Sequence, residues 1–262
     1  MTVPRSRWLL RDPDPEAATR LFCFPYGGMG ASMYAAWPRR IGATGVVVLQ
    51  PPGRENRMRE PHPATFEEFA DEAAAALEPY LDRPFAFFGH CAASLPVHAT
   101  ARRLARDGLP APERLYVSAQ LPPHLCPSDR FLELDRRGLT DELSRIARAL
   151  GQEPSPLLLD LALDVLEGDL EASRHYTMSA PERLPSAITA LHWRQRPEIP
   201  RAAMEAWSAY TGEFRLVDMD GDHHAFMAAP GPLVDLVGTD LADASSRLAA
   251  VSPHPAADGG NA

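Results

Sequence analysis

Short apolar runs alternate along this chain with longer segments of helical spacing. The runs at residues 21–24, 46–49, 85–88, 115–119, 187–191 and 214–219 are apolar enough to predict strands buried on both faces. Residues 65–81 place Phe66, Phe69, Ala73, Ala76, Leu77 and Tyr80 three or four apart, which predicts a helix with one buried stripe. Strand and helix in alternation predict an α/β fold, a mostly parallel sheet flanked by helices. Residues 126–180 break the pattern by reading as helices only, with an apolar run at 157–166 inside a charged segment. An insertion of this kind between strands predicts a helical lid over the carboxyl end of the sheet. The expected organisation is a core of residues 1–125 and 183–244, a lid at 126–182 and a disordered tail at 245–262, the last rich in Ser, Pro, Gly and Ala.

Composition narrows the function. With 262 residues, 45% hydrophobic and 23% charged, the chain is long enough to build an apolar core. Its net charge of -9 argues against nonspecific attraction to nucleic acid or anionic membrane. There is no Lys, which removes Schiff-base chemistry and Lys-dependent phosphate loops. Three Cys, at 23, 91 and 126, are too few for a disulfide framework or a Cys-rich zinc site and fit a reducing compartment. The N-terminus lacks a signal-like apolar stretch and no later run is long enough to span a bilayer, so the expectation is a cytoplasmic protein. His62, His98, His124, His175 and His192 have no metal-ligand spacing.

The stretch Phe85-Ala-Phe-Phe-Gly-His-Cys-Ala-Ala runs from a buried strand into small residues and then a helix. It has the pattern of a nucleophile elbow, in which the nucleophile sits on a strained turn and the residues two before and two after it must be small. Gly89 and Ala93 meet that need around Cys91. The following helix points its N-terminus at Cys91, which favours the thiolate, and Ala92 offers a backbone N–H to an oxyanion. The second oxyanion donor is expected from the turn after the first strand, Phe24-Pro25-Tyr26-Gly27-Gly28, at Tyr26 or Gly27. That turn carries no GxGxxG or Walker pattern. The base is expected after the last strand, at His223, with His224 as the second candidate. Nucleophile followed by His is the α/β-hydrolase order.

These residues, with Leu49-Gln-Pro-Pro-Gly-Arg-Glu-Asn-Arg, Val117-Ser-Ala-Gln-Leu-Pro-Pro-His-Leu, Ile188-Thr-Ala-Leu and Gly221-Asp-His, resemble the type II thioesterases of polyketide and nonribosomal peptide assembly lines. The resemblance spans residues 21–241. It implies an α/β-hydrolase with a helical lid, no cofactor of its own, and an acyl or aminoacyl substrate held on the phosphopantetheine of an acyl or peptidyl carrier protein.

Three positions depart from that family. Its elbow reads Gly-His-Ser-Met-Gly, whereas this chain has Gly-His-Cys-Ala-Ala. Its acid follows Ile-Thr-Ala-Leu, where this chain has His192-Trp-Arg-Gln-Arg-Pro-Glu, placing Gln195 or Arg196 there. The alternative acid position after residues 115–119 holds Gln120, and Glu198, Asp218 and Asp220 remain as substitutes. A Ser hydroxyl needs a base supported by a carboxylate, but a thiol can rest as a thiolate beside a protonated His, and an amide then suffices to orient the ring. The expected set is Cys91, His223 and Gln195, with an accessible thiol at the sheet's carboxyl edge and the His223 ring in reach. An acyl-Cys91 is itself an activated thioester, so transfer to a second carrier or ring closure stands beside hydrolysis, and a carrier-binding protein without turnover is the alternative of another class. Arg54, Arg57 and Arg59 are expected to meet an acidic carrier surface or to form a solvated loop. Residues 157–166 are expected to line an acyl tunnel or to pack on the body.

Overall fold

The computed structural model describes residues 6–25, 27–128, 131–149, 151–153, 155–195 and 198–251. Its strands are β1 (Thr19–Phe24), β2 (Arg40–Ile41), β3 (Thr44–Val48), β4 (Phe85–His90), β5 (Arg114–Ser118), β6 (Ala187–Trp193) and β7 (Phe214–Met219). The helices are α1 (Phe66–Leu77), α2 (Ser94–Arg106), α3 (Arg136–Ala149), α4 (Pro156–His175), α5 (Arg201–Met204) and α6 (Gly231–Val251), joined in places by single 3-10 turns. Each predicted strand is present. The short β2 gave no apolar run to read and was missed.

Among the described residues the sheet runs in the order β2-β3-β1-β4-β5-β6-β7. All neighbours are parallel except β2 and β3. β1 lies between β3 and β4, so the chain winds outward from it in both directions, and the crevice at the carboxyl ends of β1 and β4 is the topological switch point where open α/β sheets hold their ligands. β1, β4 and β5 are buried along their whole length, as parallel strands covered on both faces must be.

Helix α1 shows why these segments form where they do. Thr65 caps it by accepting the Glu68 N–H at 3.1 Å, and the Glu68 carboxylate accepts the N–H of Ala64. Its buried face, Phe66, Phe69, Ala70, Ala73, Ala74 and Leu77, follows the predicted stripe. The helix stops at Leu77 and residues 78–80 tighten into a 3-10 turn containing Pro79.

Helices α3 and α4 pack on each other within the segment read as a lid. α4 buries Leu163, Leu166 and Leu170 while Leu157 and Leu158 are exposed, so the apolar run at 157–166 is divided between packing and surface. The tail expectation needs correction at its start: α6 continues to Val251, past residue 245, and residues 252–262 lie outside the described residues. No helix among the described residues is long and apolar enough to cross a membrane.

Candidate active site

β4 ends at His90, and the backbone turns sharply at Cys91, whose φ of 53° lies in the left-handed region that a side chain normally avoids. A 3-10 turn over Cys91–Ala93 then feeds α2. Strand and helix approach so closely that a Cβ on Gly89 would sit 2.6 Å from the Ala93 carbonyl oxygen and 2.9 Å from the Ser94 nitrogen, so only glycine fits there. Ser94 locks the turn: its hydroxyl donates to the Gly89 carbonyl at 2.9 Å and accepts the Ser118 N–H of β5 at 3.3 Å. This is the strained strand-to-helix elbow expected at Cys91. Ala92 lies in the first helical turn, where N–H groups have no partner within the helix.

Of the two other cysteines, Cys23 lies inside β1, where burial pushes its thiol well above the usual range and makes it a poor nucleophile. Cys126 points its S–H at the Leu121 carbonyl, 3.6 Å away.

After β1, Gly27 and Gly28 turn with φ of 57° and 75°. Helix α4 lies on this turn, since a Cβ on Gly28 would be 2.6 Å from the Ala162 carbonyl oxygen and 2.9 Å from the Leu166 Cβ. The Gly28 N–H donates to Asp169 of α4 at 3.0 Å, so of the two glycines Gly27 remains the candidate oxyanion donor. Tyr26, the other expected donor, lies outside the described residues.

The loop after β7 carries the histidines. Gly221, at a φ of 125°, crosses the Trp193 ring, and the Asp222 carboxylate accepts the His224 N–H at 2.9 Å. Phe226 anchors the loop in the core, with its carbonyl accepting the Trp37 indole N–H at 2.9 Å. His223 is thereby buried and directed inward, with its Nδ1 3.4 Å from His90 Nε2. The His90 ring stacks on Phe226 at 4.0 Å, and its Nδ1 lies 2.8 Å from Ser118 Oγ, which also accepts the Trp193 indole N–H at 2.8 Å.

Several sequence expectations do not hold. The Gln195 side chain is exposed and, among the described residues, makes no hydrogen bond to His223; its N–H instead donates to the Gly221 carbonyl at 3.3 Å, so the residue braces the histidine loop through its backbone. Arg196 lies outside the described residues. Asp218 is held by His192 at 2.9 Å and by Arg201, Asp220 by Arg194 at 2.8 Å, and Glu198 is exposed. Gln120 is buried, with its Oε1 accepting the Leu121 N–H at 2.9 Å. The Cys91 thiol stands at the sheet edge but is only 1% exposed, not accessible as expected.

Of the basic run only Arg59 is exposed; the other two arginines form no surface patch. Arg57 is buried, donating to the Gln50 carbonyl at 2.7 Å and to Glu60, and Arg54 is buried against Asp169 of α4 in a two-pronged pair at 2.5 and 2.8 Å. His62 completes that cluster, 3.0 Å from Asp169. Burial alone would raise the Asp169 carboxyl, but the Arg54 charge and the hydrogen bonds of His62 and Arg54 outweigh it and hold it far below the usual carboxylate range. A buried Asp beside the Leu163, Leu166, Leu170 stripe was the available signal, because such a charge needs a buried cation. Next to this cluster lies a cavity of about 380 Å³ between the body and the lid, lined by Gly28, Arg54 and His62 on one side and Leu158, Leu159 and Ala162 on the other; Cys91 does not line it.

The Thioesterase domain family model matches residues 19–240. The linear gramicidin dehydrogenase LgrE of Brevibacillus parabrevis is 32% identical over 251 residues, 91% of this chain and 94% of LgrE. A probable cadicidin biosynthesis thioesterase of Streptomyces griseus is 34% identical over 246 residues, 91% of this chain and 66% of that protein. Among solved structures, RedJ, a thioesterase from the prodiginine biosynthetic pathway in Streptomyces coelicolor, superimposes with a TM-score of 0.75 at 32% identity, covering 91% of this chain and 96% of RedJ.

Proposed function

This chain belongs to the thioesterase domain family, and from that premise we propose that it cleaves acyl or aminoacyl thioesters carried on the phosphopantetheine of a carrier protein in polyketide or nonribosomal peptide biosynthesis, through an acyl-Cys91 intermediate. The observation that carries the reading is the elbow. A left-handed, non-glycine Cys91 between a central strand and a helix N-terminus is a strained arrangement that a structural cysteine has no need of.

His223 takes the thiol proton, and the Cys91 thiolate attacks the thioester carbonyl. The oxyanion so formed is met by the N–H groups of Ala92 and Gly27. Collapse breaks the carbonyl–sulfur bond to phosphopantetheine, and the leaving thiolate takes the proton back from the His223 imidazolium. A water then gives its proton to His223 and attacks acyl-Cys91, which releases the free acid and restores the thiol. Because Cys91 is buried, the acyl arm enters after the lid swings off the Gly27, Gly28 turn, and the cavity under the lid offers room for an acyl chain.

Cys in place of Ser favours a second reading at the same site, since acyl-Cys91 retains thioester energy and can hand its acyl group to another carrier or to an internal nucleophile. The dehydrogenase name of LgrE fits this chain less well: β1 leads into Pro25 and a turn without GxGxxG, and hydride transfer makes no use of a strained thiol. The test is product analysis with acyl-loaded carrier proteins. Free acid formed by the wild type and lost in Cys91→Ala supports hydrolysis. A second loaded carrier or a cyclic product assigns transfer or ring closure, and tight carrier binding without any product overturns the enzymatic reading.

A further inference from the structure

His223 faces a second imidazole. His90 is fully buried, its Nε2 stands 3.4 Å from His223 Nδ1, and its other nitrogen is 2.8 Å from Ser118 Oγ. We propose that His90 is a positioning residue, taking at His223 the place that a carboxylate holds in serine enzymes; this rests on the reading of Cys91 and His223 as the reacting pair. Of the carboxylates and amides suggested by the sequence, Asp218 is held by His192 and Asp220 by Arg194, Gln120 accepts the Leu121 N–H through Oε1 while its Nε2 is buried without a partner among the described residues, and Gln195 and Glu198 are exposed.

The hydrogen-bond pattern allows His90 two tautomers, and one of them serves the reaction. The Trp193 indole N–H can only donate, so it occupies one lone pair of Ser118 Oγ. The second lone pair can accept His90 Nδ1–H, which leaves His90 Nε2 as an acceptor aimed at His223. His223 then carries its proton on Nδ1 and presents Nε2 to receive the thiol proton. When it becomes imidazolium, its Nδ1–H keeps the same acceptor. In the opposite tautomer Ser118 O–H donates to His90 Nδ1 and His90 donates to His223, which places the His223 proton on Nε2 and spoils the base. The stacking of His90 on Phe226 and the Trp193 bond to Ser118 hold both partners of the relay in position. A neutral imidazole is a weaker acceptor for imidazolium than a carboxylate, and a thiol, being far more acidic than a hydroxyl, tolerates that loss. The titratable neighbours on the same loop are Asp222, whose carboxylate accepts the His224 N–H, and His224, with its ring 5.0 Å from that of His223.

The test measures the pH dependence of Cys91 alkylation by iodoacetamide in the full chain, with Cys91 identified by peptide mass, for the wild type, His90→Leu, His90→Gln and Ser118→Ala. Expected is a wild-type profile extending well below the pH 8.5 of a free thiol. At pH 6.5 we expect an approximately tenfold slower reaction in His90→Leu, equivalent to about one pKa unit. His90→Gln, which returns an acceptor near the Nε2 position, recovers much of this rate, and Ser118→Ala slows the reaction less than His90→Leu does. A folded His90→Leu with the wild-type profile overturns the role of His90 while leaving the Cys91, His223 reading intact. A wild type that behaves as a free thiol fails that reading instead. Nitrogen-15 spectra of the wild-type histidines decide the matter without any variant: His90 protonated at Nδ1 at neutral pH supports the relay, and protonation at Nε2 overturns it.

Discussion

Replacing Asp169 by Asn tests whether the lid is pinned to the body by one buried ion pair. Asp169 receives Arg54 through two guanidinium nitrogens, His62 through Nε2 and the N–H of Gly28, and the two charged side chains are only 10% and 4% exposed, so solvent screens them little. An Asn keeps the shape but leaves the Arg54 charge buried without a counter-ion, and one face of its amide presents hydrogens to donors. Breaking such a pair from one side costs about 3–5 kcal/mol. At about 2–4 °C per kcal/mol for a domain of this size, Tm should fall by roughly 6–20 °C, or amide exchange in α4 should quicken if the lid opens before the body unfolds. The sign with pH is also defined. A carboxyl held below its unfolded value stabilises fully above about pH 4 and loses that stabilisation as pH falls toward its native value. Asp169→Asn should therefore be less stable than wild type at pH 7 and should lose less on acidification below pH 4. The double variant Arg54→Met, Asp169→Leu should regain most of the loss, because no charge is then left unpaired. A change in Tm below 1 °C together with unchanged α4 exchange would refute the clamp.

Two further outcomes follow from the geometry. Gly89→Ala forces a methyl against the Ala93 carbonyl, so we expect a stability loss of about 1–3 kcal/mol and, from displacement of Cys91, roughly 10²-fold slower acyl transfer, checked by thermal melting and carrier-deacylation kinetics. His98 is buried with its Nδ1 2.8 Å from the Tyr176 hydroxyl, and burial, aided by the Arg102 charge, pushes its pKa down to about 3. The unfolded chain therefore takes up a proton below about pH 6.5 that the native state refuses, and wild-type stability should fall there by as much as about 1.4 kcal/mol per pH unit. His98→Leu should flatten that slope in urea titrations between pH 6.5 and 4.

What the sequence made legible are the features that leave a physical mark on residue type. The buried parallel strands show as apolar runs, and the elbow shows because Gly89 must lack a Cβ while its neighbours stay small. The pairings of polar groups across the fold leave no such mark. Arg54 and Arg57 read as a solvated loop because the carboxylate that neutralises Arg54 lies in α4, 115 positions away. Gln195 occupies the acid's place in the chain but turns its amide outward, whereas His90, hidden in the motif as the residue before the nucleophile, faces His223 only because β4 and the β7 loop converge. The burial of Cys91 depends on tertiary packing, which local periodicity does not encode.

The proposed chemistry requires a covalent bond at one sulfur. Intact mass of the protein after brief mixing with an acyl-loaded carrier protein should show one added acyl group, mapped to the peptide containing Cys91, removed by neutral hydroxylamine and absent in Cys91→Ala. An unmodified Cys91 during turnover, or an adduct that persists in Cys91→Ala, would contradict it.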